Sequence, residues 1–160
     1  MEKPLFHVVL KEPEIPNNTG NIGRTCVGAR ARLHLVEPLG FKIDDRQVKR
    51  AGLDYWPHLD WKLHKDWQNF LQNPDGPSRL IYFSTKAKQN YFDFSFQLGD
   101  GLVFGRETKG LEESLLVNRE VVSLCIPMLG PIRSHNLANA VAIVLYEGLR
   151  QHRPAWANRS

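Results

Sequence analysis

What most restricts the fold of this chain is its recurrent short, unbroken apolar runs: LFHVVL at residues 5–10, RLHLVE at 32–37, RLIYFS at 79–84, GLVFG at 101–105 and VVSLCIP at 121–127. A strand with one face in water alternates apolar with polar residues, whereas a strand covered on both faces reads as a continuous apolar run. Between the runs lie segments of helical character, at residues 18–31, 44–53, 66–73, 112–120 and 134–152. Strand and helix alternate, so the expected fold is α/β: a mostly parallel sheet flanked by helices. In the last helix Leu137, Val141, Val144, Leu145 and Leu149 recur at spacings of three and four, which marks one buried stripe. The aromatic-rich segment 86–100, with Tyr91, Phe92, Phe94 and Phe96, follows neither period and reads as a packed loop or as a cover over a site.

A length of 160 residues fits a single domain over 1–160, large enough to fold without a disulfide or metal staple. Cys26 and Cys125 lie far apart in apolar surroundings, as expected of buried reduced thiols rather than a bridge. The opening residues 1–10 carry Glu2 and Lys3 and are too short and too charged for a signal peptide. No run approaches the roughly 18 apolar residues of a membrane span. A cytoplasmic protein without membrane contact is therefore expected.

The formal net charge of +4 permits a polyanionic partner without demanding one. Its distribution is more informative. Arg46, Lys49 and Arg50 crowd one segment just before Tyr55 and Trp56, and Arg150, His152, Arg153, Trp156 and Arg159 close the chain. Aromatics among cations suit RNA, whose bases stack and whose phosphates need positive charge. A solvated surface of long side chains accounts equally well for either cluster alone.

Ligands of parallel α/β sheets bind beyond the carboxyl ends of the strands. Three polar, glycine-bearing segments follow predicted strands. PEIPNNTGNIGRTC, residues 13–26, opens the first helix, where Asn17, Asn18 and Thr19 are available to cap it and Gly20 and Gly23 allow close approach. Capping and packing leave Arg24 unexplained, and its place near the strand ends suits a phosphate or an oxyanion. LVFGRETKGLEES, residues 102–114, ends a strand at Gly105 and sets Glu107 just beyond it; Gly105 and Gly110 imply a backbone wrapped closely around something. IPMLGPIRSHNLAN, residues 126–139, puts Ser134, His135, Asn136 and Asn139 at a helix mouth, more polar groups than capping requires. Ser134 beside His135 evokes a nucleophile and its base, but helix neighbours point about 100° apart, so an ester hydrolase is the weaker reading. Neither nucleotide-binding glycine fingerprint is present, and no HExxH, CxxC or carboxylate cluster points to a metal.

In order and spacing, NNTGNIGRT, FGRETKGL and IPM followed by SHNLANAVA resemble the three motifs of the SPOUT superfamily of RNA methyltransferases, across nearly the whole chain. With no added RNA-binding domain, the chain is most similar to the minimal YibK-like members, tRNA 2′-O-methyltransferases acting on cytidine or uridine at the wobble position. His135 departs from the apolar residue or methionine usual in relatives, and is expected to tune packing rather than chemistry.

The resemblance implies a deep C-terminal trefoil knot, a topology that general rules would reject. It also implies S-adenosyl-L-methionine as methyl donor, S-adenosyl-L-homocysteine as product, a tRNA substrate and a homodimer whose site borrows residues across the interface. By position Phe83, Ser84, Gly105, Ile126, Met128, Leu129 and Ser134 would line the cofactor pocket, with Glu107 nearby. Arg24 would act on the 2′-hydroxyl; Asn17 and Asn18 would orient loops and substrate, Glu107 would hold Arg24 or the substrate, and Ser134 and Asn136 would position cofactor and backbone. Arg46, Lys49 and Arg50 would contact RNA, with Tyr146 and Arg150 there or facing a partner subunit. The rival reading is a non-catalytic RNA-binding or assembly factor that retains the pocket.

Overall fold

The computed structural model of the chain describes residues 2–44, 46, 48, 50 and 54–157. Its strands are β1 (Phe6–Lys11), β2 (Ala31–Val36), β3 (Trp61–His64), β4 (Arg79–Phe83), β5 (Gln89–Asn90), β6 (Asp100–Phe104) and β7 (Val122–Cys125). They form one seven-stranded sheet in the order β3-β2-β1-β6-β4-β7-β5, and every pairing in it is parallel. Among the described residues, its continuous α-helices are α1 (Pro16–Ala29), α2 (Trp67–Leu71), α3 (Glu113–Leu116) and α4 (Leu137–Gln151).

The continuous apolar runs are explained by cover on both faces. Every residue of β1 and of β6, its neighbour at the centre of the sheet, is buried. Phe6, Val8, Leu10, Leu102 and Phe104 point to one side, into a core shared with Ile22, Cys26, Val141, Val144 and Leu145 of α1 and α4. Val9 and Val103 point to the other, with Val36, Tyr82 and Phe70.

That second face also holds three histidines from adjacent strands. His7 Nδ1 lies 2.8 Å from His34 Nε2, and His34 Nδ1 lies 2.9 Å from His64 Nε2. Each contact needs one N–H and one bare nitrogen, so both must run in the same direction and the three rings share one tautomer. Burial pushes the imidazole of His7 down to about 4 and that of His34 down to about 2, and holds His64 below its ordinary value.

The expected strands are all present; β3 and β5 were not foreseen. Three helices differ from expectation. The first starts at Pro16, a favoured first position because proline has no N–H to leave unbonded. The expected helix over 112–120 is one turn, and the last helix begins at Leu137, with Ser134 and His135 preceding it. Of the expected helix at 44–53, residues 46, 48 and 50 are helical, while 45, 47, 49 and 51–53 lie outside the described residues. Segment 86–100 contains the short edge strand β5 and, after it, a packed loop that leads into β6: Tyr91 and Phe96 are buried, and Gln151 of α4 bonds to the Phe96 amide at 2.8 Å and the Phe94 carbonyl at 2.9 Å. Both cysteines are free; Cys26 is buried, which pushes its thiol up.

Two features position the site. Phe83 and Gln89 pair with Leu124 from its two sides, so residues 84–88 arch across β7. Helices α1 and α4 pack against each other in the same direction. Asn136 Nδ2 donates to Asn18 Oδ1 at 3.1 Å, and ten residues further along each chain segment the Tyr146 hydroxyl lies 3.7 Å from where a Cβ on Gly28 would stand.

Candidate active site

A cavity of ≈ 590 Å³ opens at the carboxyl ends of β4, β6 and β7, within the roughly 300–1,000 Å³ range of small-molecule sites. Its apolar wall is Phe83, Phe104, Leu124, Ile126 and Leu137, and its polar rim includes Ser84, Ser134 and Asn136. The glycine-bearing segments after the strands build it.

The middle segment folds back upon itself. Arg106 and Gly110 form an antiparallel bridge, with Gly110 in the left-handed region at φ 65°. A Cβ on Gly105 would stand 2.1 Å from the Gly110 carbonyl carbon and 2.3 Å from the Leu111 nitrogen. Backbone presses on backbone there, so no side chain fits.

Glu107 is held by the start of α1. Ile15 at the N-cap supplies no side-chain acceptor, and the Glu107 carboxylate accepts from the amides of Glu14 at 2.8 Å and Ile15 at 3.0 Å, and from Asn18 Nδ2 at 3.4 Å. A carboxylate at a helix N-terminus satisfies unbonded amides and opposes the positive end of the dipole. The contact is reciprocated: Glu14 accepts from the Thr108 hydroxyl at 2.7 Å and its amide at 3.1 Å, and the hydroxyl bond is the chief cause that holds the Glu14 carboxyl below its usual range. Burial would raise Glu12, but the Arg106 guanidinium and Lys11 outweigh it and hold Glu12 low.

Asn136 caps α4, its side-chain oxygen accepting from the amides of Ala138 at 2.9 Å and Asn139 at 3.4 Å. Its nitrogen reaches Asn18, so a continuous chain of hydrogen bonds, Glu107 to Asn18 to Asn136, joins the three motifs.

Among the residues expected to hold a cofactor, Phe83, Ser84, Gly105, Ile126, Met128 and Ser134 line the cavity. Leu129 does not: it is 98% exposed, because the chain turns outward at residues 129–130 before re-entering the rim. Of the residues expected to act in catalysis, Asn18, Glu107, Ser134 and Asn136 line it, whereas Asn17 and Arg24 stand exposed on the outer face of α1. Glu107 does not hold Arg24: each has its own partners. Arg24 Nη1 lies 3.6 Å from Asp54 Oδ1, and its guanidinium sits over the Tyr55 ring.

Of the expected RNA contacts, Arg46 and Arg50 are exposed, and Lys49, like Arg159, lies outside the described residues. Tyr146 and Arg150 are exposed on α4, Arg150 with both bonds of its fork on Glu147 at 2.8 Å. Sequence reasoning passed over Lys86, Lys109 and Arg133, cations at the cavity mouth. Lys86 pairs with Glu113 at 2.9 Å; Lys109 and Arg133 have no ion pair among the described residues. A signal was available for Lys109 and Arg133, which lie within motif segments that follow strands; Lys86 only follows the end of β4, outside all three. Among the described residues no His, Cys, Asp or Glu group is placed to hold a metal ion, and no helix is long and apolar enough to cross a membrane.

An all-parallel α/β sheet with this cavity, walled by folded-back loops and the arch over β7, defines the SPOUT class of methyltransferase folds. Within that class, the chain belongs to the SpoU rRNA Methylase family, whose sequence pattern matches residues 5–146. It is 46% identical over 151 residues to a tRNA (cytidine(34)-2′-O)-methyltransferase of Burkholderia pseudomallei, covering 92% of this chain and 96% of that one. An enzyme of the same name from Saccharophagus degradans is also 46% identical over 151 residues, with the same coverage. A solved structure concerned with 2-OH methylation of C/U34 on tRNA superposes with a TM-score of 0.88 at 44% identity, covering 96% of this chain and 99% of that one.

Proposed function

We propose that this protein is an S-adenosylmethionine-dependent methyltransferase that modifies the ribose 2′-hydroxyl of the wobble nucleotide, cytidine or uridine, in tRNA, with S-adenosylhomocysteine as the other product. What carries the reading is the convergence of three motif segments, distant in sequence, on one cavity through the Glu107–Asn18–Asn136 chain. The likeness to tRNA wobble-position methyltransferases runs over more than nine-tenths of each chain.

The cavity fits the donor. Its apolar wall of Phe83, Leu124 and Ile126 suits a flat base, and Ser84, Ser134 and Asn136 offer hydrogen bonds to ribose and amino-acid groups. Gly105, without a side chain, keeps the backbone wall thin. When bound, the cofactor supplies an electrophilic methyl group on its sulfonium. Transfer is an in-line displacement in which the ribose oxygen gains the methyl group and loses its proton, so alignment of the hydroxyl governs the rate. Asn18 and Asn136 orient the loops that hold donor and acceptor. Arg24 stabilises the developing alkoxide; its guanidinium stays protonated, so the proton leaves to an RNA phosphate or to water.

Arg24 stands outside the cavity of its own chain, which favours a homodimer. Asn17, Asn21, Arg24 and Gly28 on α1, and Asn139, Tyr146 and Arg150 on α4, make one continuous outer face with Ile143 half-buried among them. A second copy covers that face, and Arg24 serves the neighbouring cavity. Arg46, Lys49 and Arg50 bind the RNA backbone, with Lys109 and Arg133 nearer the acceptor. The chain acts as one cytoplasmic domain, and the arch of residues 84–88 over β7 supports the trefoil knot that the family resemblance implies.

The test is methyl incorporation from labelled S-adenosylmethionine into unmodified tRNA, with mass spectrometry locating the product. Label at the 2′-oxygen of nucleotide 34, lost with Arg24→Ala while cofactor affinity persists, is the expected result. Cofactor binding without transfer to any tRNA would make the protein a non-catalytic RNA-binding factor instead.

A further inference from the structure

Arg24 is placed by three features that converge on one helical turn. The Tyr55 hydroxyl donates to the Gly20 carbonyl, in the turn of α1 that precedes Arg24. The Tyr55 ring is seated against Gly23: a Cβ there would stand 3.4 Å from Tyr55 Cε2 and 3.1 Å from Leu59 Cδ2. Tyr55 is buried, 7% exposed, so helix and loop hold it from both ends. On this fixed ring rests the Arg24 guanidinium, 5.6 Å from its centre, with Asp54 at 3.6 Å beside it.

An arginine projecting from a helix surface has several rotatable bonds and samples many rotamers unless something holds it. The Arg24 side chain is 63% exposed, so its own burial does not restrain it. An aromatic face binds a guanidinium flat and leaves its N–H edge free, which suits a group that must meet an oxyanion. A purely structural tyrosine would need neither the cation on its face nor the neighbouring carboxylate.

We infer that Tyr55 is a positioning residue for Arg24: locked to α1 at Gly20 and Gly23, it forms a platform, completed by Asp54, that holds the guanidinium in its working direction. The inference rests on the assignment of Arg24 to catalysis. It places a determinant of the rate in a loop that touches neither the cavity nor the cofactor wall.

The experiment measures kcat at saturating tRNA and S-adenosylmethionine, with cofactor Kd and thermal midpoint, for Tyr55→Leu, Tyr55→Phe, Asp54→Asn and Arg24→Ala. Tyr55→Leu is expected to lower kcat about tenfold or more at a temperature where the variant is fully folded, as misplacement of a catalytic group does, with cofactor Kd unchanged; its midpoint falls because a buried ring and its hydrogen bond are lost. Tyr55→Phe keeps the ring on Gly23 and restores most of the rate; Asp54→Asn lowers kcat without changing the midpoint. Full kcat in Tyr55→Leu, or a loss of kcat matched by an equal loss of cofactor affinity in the folded variant, overturns the platform. If Tyr55→Leu does not fold, exposed Asp54 decides: an Asp54→Asn protein with undiminished kcat overturns it. Full activity of Arg24→Ala would instead refute the catalytic assignment of Arg24, a separate failure from that of Tyr55.

Discussion

The side-chain nitrogen of Asn136 donates to the side-chain oxygen of Asn18 at 3.1 Å, tying together the N-terminal turns of two helices 118 positions apart. Asn136 also caps its own helix, so one side chain serves two purposes that substitution separates. Asn136→Ala loses both and should cost about 1–2 kcal/mol of stability, by denaturant titration, together with cofactor affinity. Asn136→Asp keeps the capping oxygen and loses the donor. Near-native stability with weakened cofactor binding is expected from it, and equal behaviour of the two variants would show that capping alone matters.

Gly105→Ala sets a methyl group against the Gly110 and Leu111 backbone, which has no flexible side chain to move aside. Overpacking of this kind costs about 3 kcal/mol. A lowered denaturation midpoint and loss of cofactor binding should appear together in calorimetry, because the same loop walls the cavity.

The His7–His34–His64 stack makes stability depend on acid. Its rings are kept neutral in the fold, whereas in the unfolded chain they take up a second proton below about pH 6.5. The unfolded state therefore binds more protons, and stability that is complete above about pH 6.5 is lost as pH falls toward about 4, the value to which burial lowers His7. Urea midpoints at pH 7.5 and 5.0 measure this. Replacing His34 by glutamine should flatten the difference, and a wild-type midpoint indifferent to pH would contradict it.

Neutralising Arg46 and Arg50, both exposed, should weaken tRNA binding and lower the slope of log affinity against log salt by about 2. Arg150, already forked onto Glu147, has less charge to offer, and Arg150→Gln should change the slope less. Filter binding across a salt series compares them.

Tyr146→Asp places a carboxylate on the outer face shared by α1 and α4. Sedimentation should show a monomer that binds the cofactor and transfers no methyl group. A monomer of full activity would mean that Arg24 acts within its own chain.

Much of the fold could be read before the structure. The central strands β1 and β6 are buried on every residue, and burial on both faces leaves an unmistakable apolar run. β3 and β5 could not be read: they sit at the two edges of the sheet, where Lys62 and Gln89 face water and the pattern is lost. The site was legible in part. Motif membership pointed to Asn18, Gly105 and Asn136, but the same reasoning gave Leu129 to the cavity, and the chain turns it into solvent. Nothing local marks Glu107 as the group that receives the amides of Glu14 and Ile15, more than 90 positions earlier.

The α/β class, the apolar stripe of the last helix and the three polar, glycine-bearing segments follow from the order of residues alone. Hydrophobic period and turn residues are local, and they act on each stretch whatever the rest of the chain does. That those segments meet at one cavity, that Glu107 closes the start of α1 and that Arg24 faces outward onto Tyr55 follow from the packed fold. Such outcomes depend on the rotational phase at which each helix packs and on which distant loop is nearest to satisfy its end, quantities set by the assembled core rather than by neighbours in sequence.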